Sequence, residues 1–419
     1  MKENSASSTL YQELTFYIFL FIIPFYGGGR FGYFNLLFWI FFILELVISR
    51  NNFRFKTSEE VNYKDYFLFF LFSFISGFLA IDYFLVFESL YHYAVLFLSL
   101  LYIINSLNSR NYSIAFKVIE ITFWIQFFLG VMQFMHVEAF YLTDVSMLND
   151  NTNINEDFGY LRAWGSFGDS LVYIAFMLPI SIFFSIDYKI KKKRAPFIFY
   201  FCSCIGLLVL SSSRGALLAV IGTVLITSLF YKKFFLYFVI LTLVSFIIVV
   251  SFVDLRLFES LALVDRLSSG RDEIGSGRVE IWSILPTIIM DNFIFGVGPG
   301  NLGVSLVNYG IDFAGAGNKT THVENVFLTI LITNGIIGCC YYLKIVLFPL
   351  LLCLKFLKKY KLNKSLFLPF IAFFGSSLII MLTNPAFITN PSVNVCYLYF
   401  LVYLIYIKNA FLSNSNTLG

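Results

Sequence analysis

Long apolar runs alternate with short polar joints over most of this chain. An α-helical span of a bilayer needs about 20 mostly apolar residues. Runs of that order recur at roughly 13–28, 33–49, 66–81, 84–104, 113–135, 170–187, 196–212, 215–230, 233–253, 325–354, 366–383 and 393–408. The pattern predicts an all-α polytopic membrane protein of about 12 transmembrane helices, forming one integral domain over residues 1–419. Two joints are long. The first, 136–169, is rich in Asn and Asp; the second, 254–324, separates spans 9 and 10 and is the largest polar segment. Loops of this length are commonly functional. Within the second, Val279, Trp282 and Ile289 recur near helical spacing, which predicts a helix from Arg278 through Pro286, ending at Asp291-Asn292 and lying on the membrane surface. Gly296-Val-Gly298-Pro-Gly300-Asn301 follows and reads as a turn, since no Lys-Ser/Thr follows it and no βαβ pattern surrounds it.

Composition supports the membrane class: 59% of the residues are hydrophobic and 13% charged, and the mean hydropathy is +0.81. Phe and Tyr are abundant, as suits lipid-facing spans and interfacial belts. No basic arm or nucleic-acid module is present, so nucleic acid is not an expected partner. The first run ends at Pro24 and Gly27–Arg30 without a small-residue cleavage site and reads as an anchor. Cys202, Cys204, Cys339, Cys340, Cys353 and Cys396 all sit in apolar runs and read as small core residues, not disulfides or metal ligands. No HExxH or paired ligand spacing occurs, so no metal site and no cofactor are expected.

Charge orients the chain. The joints Arg50–Lys64, Asn105–Lys117, Lys189–Arg194, Lys232–Lys233 and Lys355–Lys364 are basic and fall on one side, which the positive-inside rule makes cytoplasmic, with both termini inside. The other side carries Arg30, Arg162, Arg214, Arg256, Arg266, Arg271 and Arg278 but only one lysine, Lys319. Guanidinium binds phosphate in a planar, bidentate way that ammonium does not, so this arginine set suggests a site for a large anionic ligand.

Four segments could carry chemistry. Ser211-Ser-Ser-Arg214-Gly215 lies between two apolar runs at the outer interface; Arg214 either holds an anion in an outward cavity or snorkels at a helix end. Arg162-Ala-Trp-Gly165-Ser-Phe-Gly168-Asp169 offers Arg162 as a second anion contact, or else a solvated loop with an interfacial Trp164. Arg278 opens the predicted surface helix, where backbone N–H groups also attract anions, while Arg266 and Arg271 are weaker candidates. His322-Val-Glu324-Asn325 stands at a loop-to-membrane junction, and His322 suits general acid or base work or interfacial capping. His92 and His136 lack comparable neighbours, and Glu45 and Lys344 are the charges nearest to span interiors.

In order, these segments read Arg-x-x-Gly-Ser-Phe, Ser-Arg-Gly-Ala, Gly-Arg-x-x-Ile-Trp, Gly-Val-Gly-Pro-Gly-Asn and His-x-x-Asn with Gly335-Ile-Ile-Gly338. The order resembles the O-antigen polymerase and O-antigen ligase superfamily, with motifs from Arg162 to Gly338 and a span count that suits the whole chain. The resemblance implies an inner-membrane glycosyltransferase acting at the periplasmic face on sugars carried by undecaprenyl diphosphate. Arg214, Arg278 and His322 match positions that carry function in such proteins, and Arg162, Arg266, Arg271, Glu324 and Asn325 are read beside them as substrate-binding candidates. The implied partners are lipid-linked oligosaccharide, membrane lipid and, as an open question, a polysaccharide chain-length regulator. The ligase pattern puts His directly before Asn, nine residues ahead of Gly-x-x-Gly; here Glu324 holds that position and His322 lies two residues earlier. Arg266 and Gly277 have the Arg-x10-Gly spacing often described for polymerases. The polymerase is therefore the preferred reading, ahead of the ligase and of an anion transporter.

Overall fold

Where a run is long and apolar, a helix forms, because inside a bilayer only intrahelical bonds can satisfy the backbone. The computed structural model describes residues 3–25, 40, 63–107, 111–135, 137–140, 154–155, 160–161, 163–167, 169–211, 213–230, 239, 278–310, 323, 325–359 and 364–416. In chain order the helices are α1 (Glu3–Ile22), α2 (Tyr63–Gly77), α3 (Tyr83–Ser106), α4 (Tyr112–Phe134), α5 (Ser170–Ile190), α6 (Arg194–Ser211) and α7 (Arg214–Phe230). They continue with α8 (Arg278–Asp291), α9 (Leu302–Asn308), α10 (Val326–Lys359), α11 (Lys364–Met381), α12 (Ala386–Thr389) and α13 (Pro391–Asn416). A two-residue antiparallel pair, Ile154–Asn155 with Tyr160–Leu161, is the strand structure among the described residues. Six described helices, α3, α4, α5, α6, α10 and α13, are long and apolar enough to cross a membrane. Shorter apolar stretches cover Tyr11–Phe25, Gly215–Leu229 and Leu366–Met381. The spans expected at 33–49 and 233–253, most of the first long loop and residues 254–277 and 311–322 of the second lie outside the described residues.

The bundle is organised around α5. Every residue from Val172 to Ile186 is buried, as expected of a helix apolar on all sides. It packs on α6 and α11, and α11 packs in turn on α7. Aromatic rings fill the joint between α5, α11 and α13: Phe183 lies 5.0 Å from Phe370 and 4.8 Å from Phe400, and Phe400 stacks on Phe373 at 4.0 Å. On the other flank α10 packs on α2, and α3 on α13.

The two ends of the bundle differ chemically. One end is rich in lysine: Lys189 and Lys191–Lys193 at the α5–α6 joint, Lys355, Lys358 and Lys359 closing α10, and Lys408, which lies over the Phe356 ring at 5.1 Å. The other end holds the side-chain caps. Asp82 Oδ1 accepts from the Phe84 N–H at 2.8 Å, and Asp169 Oδ1 from the Leu171 N–H at 2.6 Å.

Near the lysine-rich end, Glu120 of α4 accepts hydrogen bonds from the hydroxyls of Tyr188 (2.7 Å) and Tyr200 (2.8 Å), and Trp124 Nε1 donates to Tyr200 Oη at 2.9 Å. Glu120 thus belongs with the charges inside spans. Lys344, which the sequence reading singled out, is exposed and lies 4.9 Å over the Tyr341 ring. Other expectations also need correction. Cys202 and Cys340 are exposed on their helices and are not core residues, while the other four cysteines are buried and all six are free. Trp164 is fully buried inside the protein and is not a solvated loop residue. Helix α8 ends at Asp291, where the sequence predicts, and it buries Leu285 and Ile288 in a small separate core with Val297, Leu302, Leu306, Val323 and Ile332.

Candidate active site at the lysine-poor face

Hydropathy predicts one uninterrupted helix over residues 325–354, but α10 breaks at Gly335 (φ 66°, ψ −174°). Those angles belong to a region that essentially only glycine occupies. A Cβ there would collide with the Ile294 carbonyl. The break leaves backbone groups without intrahelical partners, and the turn of residues 293–298 supplies them. Ile336 N donates to Phe293 O (2.8 Å), Val297 N to Ile332 O (2.9 Å) and Gly298 N to Thr333 O (2.9 Å). Ser76 of α2 adds a hydroxyl bond to Thr333 O at 2.8 Å, and Asn334 Nδ2 donates to Ser73 Oγ at 2.5 Å. The Gly296–Asn301 segment is therefore the turn that sequence predicts, and it is fixed into a broken membrane helix.

Asn301 joins this turn to the start of α3. Its Oδ1 accepts from Asp82 N (2.7 Å), and its Nδ2 donates to Asp82 O (3.0 Å). Tyr309, just past α9, donates its hydroxyl to Asp291 Oδ2 at 2.7 Å, tying α9 back to the end of α8. That bond, with some burial, holds the phenol above its usual pKa.

The turn, α3 and the first part of α10 enclose a polar cleft of about 110 Å³. Glu88, Ser89 and His92 line it from α3, Thr329 and Thr333 from α10, Gly300 from the turn and Ile388 from α12. The sequence reading left His92 without comparable neighbours. In the helix, Glu88 stands one turn before it, on the same face and lining the same cleft. A carboxylate four residues from a histidine inside an apolar run was the signal available.

Asn325 sits at the start of α10. Its Oδ1 accepts from the N–H groups of Phe327 (2.9 Å) and Leu328 (3.1 Å), so it caps the helix, leaving its amide N–H groups for other partners. Thr329 Oγ1 pairs with both N and O of Val323 at 3.0 Å, which fixes the residue after His322 against the cleft wall.

The segment that follows Arg162 is a buried plug on α4. Gln133 Oε1 accepts from Trp164 N (3.1 Å) and Gly165 N (2.8 Å), and its Nε2 donates to Gly165 O (2.7 Å). Gln126 exchanges two bonds with Ser166, at 2.8 and 3.0 Å. Ala163 N donates to Leu210 O at 2.9 Å, which brings this segment to the end of α6, four residues before Arg214. Sequence reading did not single out Gln126 or Gln133. It also missed the connection between α11 and α13, where Thr383 faces Gly215, Asn384 Nδ2 donates to Leu171 O (2.7 Å) and Ile388 reaches the cleft.

Helices α7 and α8 begin at Arg214 and Arg278, so both arginines stand at helix N-termini, where exposed N–H groups favour anions. None of the described contacts ties the start of α8 to the start of α7. Arg162, Arg266, Arg271, His322 and Glu324 lie outside the described residues. Among the described residues, no three His, Cys, Asp or Glu side chains are grouped to hold a metal ion.

The architecture so far defines a multi-pass α-helical membrane protein with a polar site at its lysine-poor face. Residues 199–343 match the family profile described as O-antigen ligase. This supports placing the chain in the O-antigen polymerase and ligase superfamily, whose members are membrane glycosyltransferase-like enzymes. The match does not separate polymerase from ligase. Comparison with curated proteins gave no match.

Proposed function

We propose that this protein is an O-antigen polymerase of the bacterial inner membrane, with both termini cytoplasmic. It transfers a growing glycan from undecaprenyl diphosphate to the non-reducing-end sugar of an incoming lipid-linked repeat unit. The observation that carries this reading is where the matched residues sit. Residues 199–343 contain the starts of α7 and α8, the glycine turn and the broken part of α10, and the last two build the polar cleft with α3.

In the reaction an acceptor hydroxyl attacks the anomeric carbon of the donor glycan. The C–O bond to the diphosphate breaks, and the lipid diphosphate leaves with that electron pair. Negative charge grows on the leaving group in the transition state, so prepositioned guanidiniums stabilise it without a metal or a nucleotide. Arg214 and Arg278 take this role, with Arg162, Arg266 and Arg271 on the lipid carriers. His322, oriented by Glu324, takes the proton of the acceptor hydroxyl, and the free amide N–H groups of Asn325 meet a sugar. The membrane spans supply a groove for the polyprenyl chains, and a chain-length regulator is a compatible partner.

The ligase is the second reading, favoured by the description of the matching profile. Lipopolysaccharide from a strain lacking this chain separates the two on a gel. A single core-plus-one-repeat band with the ladder gone is the expected result. Bare core, with long glycan accumulating on undecaprenyl diphosphate, would establish the ligase instead.

A further inference from the structure

The cleft between α3 and α10 contains no Lys or Arg among its lining residues. Its ionisable groups are Glu88, His92 and the phenol of Tyr93. Glu88 lines it, is exposed, and makes no hydrogen bond with another described residue. His92 Nδ1 is buried and has no hydrogen-bond partner among the described residues, although its ring meets Tyr91 edge-on at 5.7 Å. Glu88 and His92 are five and nine residues into α3, roughly 8 and 14 Å below its start at 1.5 Å per residue. A buried imidazole nitrogen without a partner is costly, and an exposed carboxylate one turn away in the same polar cleft leaves its acceptors open to a ligand.

The chemistry of the cleft selects its ligand. A carboxylate facing the opening repels diphosphate. It accepts hydrogen bonds from hydroxyls, as do Ser89, Thr329 and Thr333, and an imidazole can donate and accept at once. That array matches a neutral ring bearing several hydroxyls. We propose that the Glu88–His92 cleft is a carbohydrate subsite that holds the acceptor sugar by its hydroxyls, apart from the arginines that hold diphosphate. The acceptor is favoured over the donor because Thr329 lines the cleft and also fixes Val323, next to the candidate base His322. The assignment to the acceptor rests on the polymerase reading; the preference for a neutral sugar does not.

The test uses the full chain in lipid nanodiscs. The probe is the lipid-free oligosaccharide released by mild acid from the producing strain's lipid-linked pool, followed by saturation-transfer NMR. Wild-type protein is expected to bind it saturably. Glu88→Gln and His92→Gln are each expected to weaken binding about tenfold, as loss of a hydrogen bond to a charged or buried group does. Glu88→Asp, which keeps the charge, should recover part of it, and undecaprenyl diphosphate alone should not displace the sugar. Matching thermal unfolding of the Gln variants assigns the loss to the contact. Equal binding by wild type and both variants overturns the proposal, as does no binding to wild type or displacement by undecaprenyl diphosphate alone. The gel experiment fails separately: a bare-core phenotype with Glu88-dependent sugar binding retires the polymerase reading and keeps the subsite, while a lost ladder with Glu88-independent binding does the reverse.

Discussion

Glu120 and Glu88 both lie within described membrane helices, and they are treated in opposite ways. Glu120, toward the lysine-rich end, is closed in by two tyrosine hydroxyls, one of which is also held by Trp124. Glu88, toward the other end, faces a cleft with His92 beside it and makes no bond to a described residue. Intramembrane charge is a functional-site hypothesis by default, and the pair shows what refines it. A charge whose partners are complete holds helices together, whereas one whose bonding capacity points into a cavity is available to a ligand.

Substitutions should divide along this line. Gly335→Ala is expected to cause the largest loss, about 4 kcal/mol from left-handed strain and displaced turn together, with stability and activity falling in parallel. Thermal unfolding in detergent checks this, and a variant with wild-type melting would show that the break in α10 is dispensable. Arg278→Lys should lower polymer formation about 100-fold, or roughly 3 kcal/mol in the barrier, with insertion intact. Normal polymer from that variant would end the role given to Arg278. Glu120→Ala should do the opposite, lowering stability by about 2 kcal/mol because Tyr188 and Tyr200 lose their acceptor, while turnover per folded molecule stays unchanged. If activity fell and melting did not, the distinction between the two carboxylates would break. Tyr309→Phe should cost about 1 kcal/mol, seen as faster amide exchange confined to α8 and α9.

Much of the helical frame could be read from the sequence, because run length and the placement of lysine are local signals. The start of α8 at Arg278 and the turn at Gly296–Asn301 were legible for the same reason. The break at Gly335 was not, since the apolar runs on either side of Thr333-Asn334-Gly335 read together as one span and hydropathy carries no information about φ. The bonds that complete the site join distant positions: Asn301 to Asp82, Asn334 to Ser73 and Gln133 to Gly165. Polar residues singled out for a role, such as Asn325, showed their capping duty only once the helix end was visible. The pairing of His92 with Glu88 is written at helical spacing, four residues apart, and not in adjacent positions.

The joint between the 293–298 turn and α10 is a clasp of main-chain groups, with peptide N–H and C=O on both sides. Every residue brings a C=O and every residue but proline an N–H, so away from its glycines the clasp is indifferent to most of the side chains around it. Phe293, Ile294 and Phe295 are exposed on its outer rim and take no part in it through their side chains. The three exposed rim side chains are therefore open to replacement while the fastening stays the same, provided the glycines at 296, 298 and 335 survive.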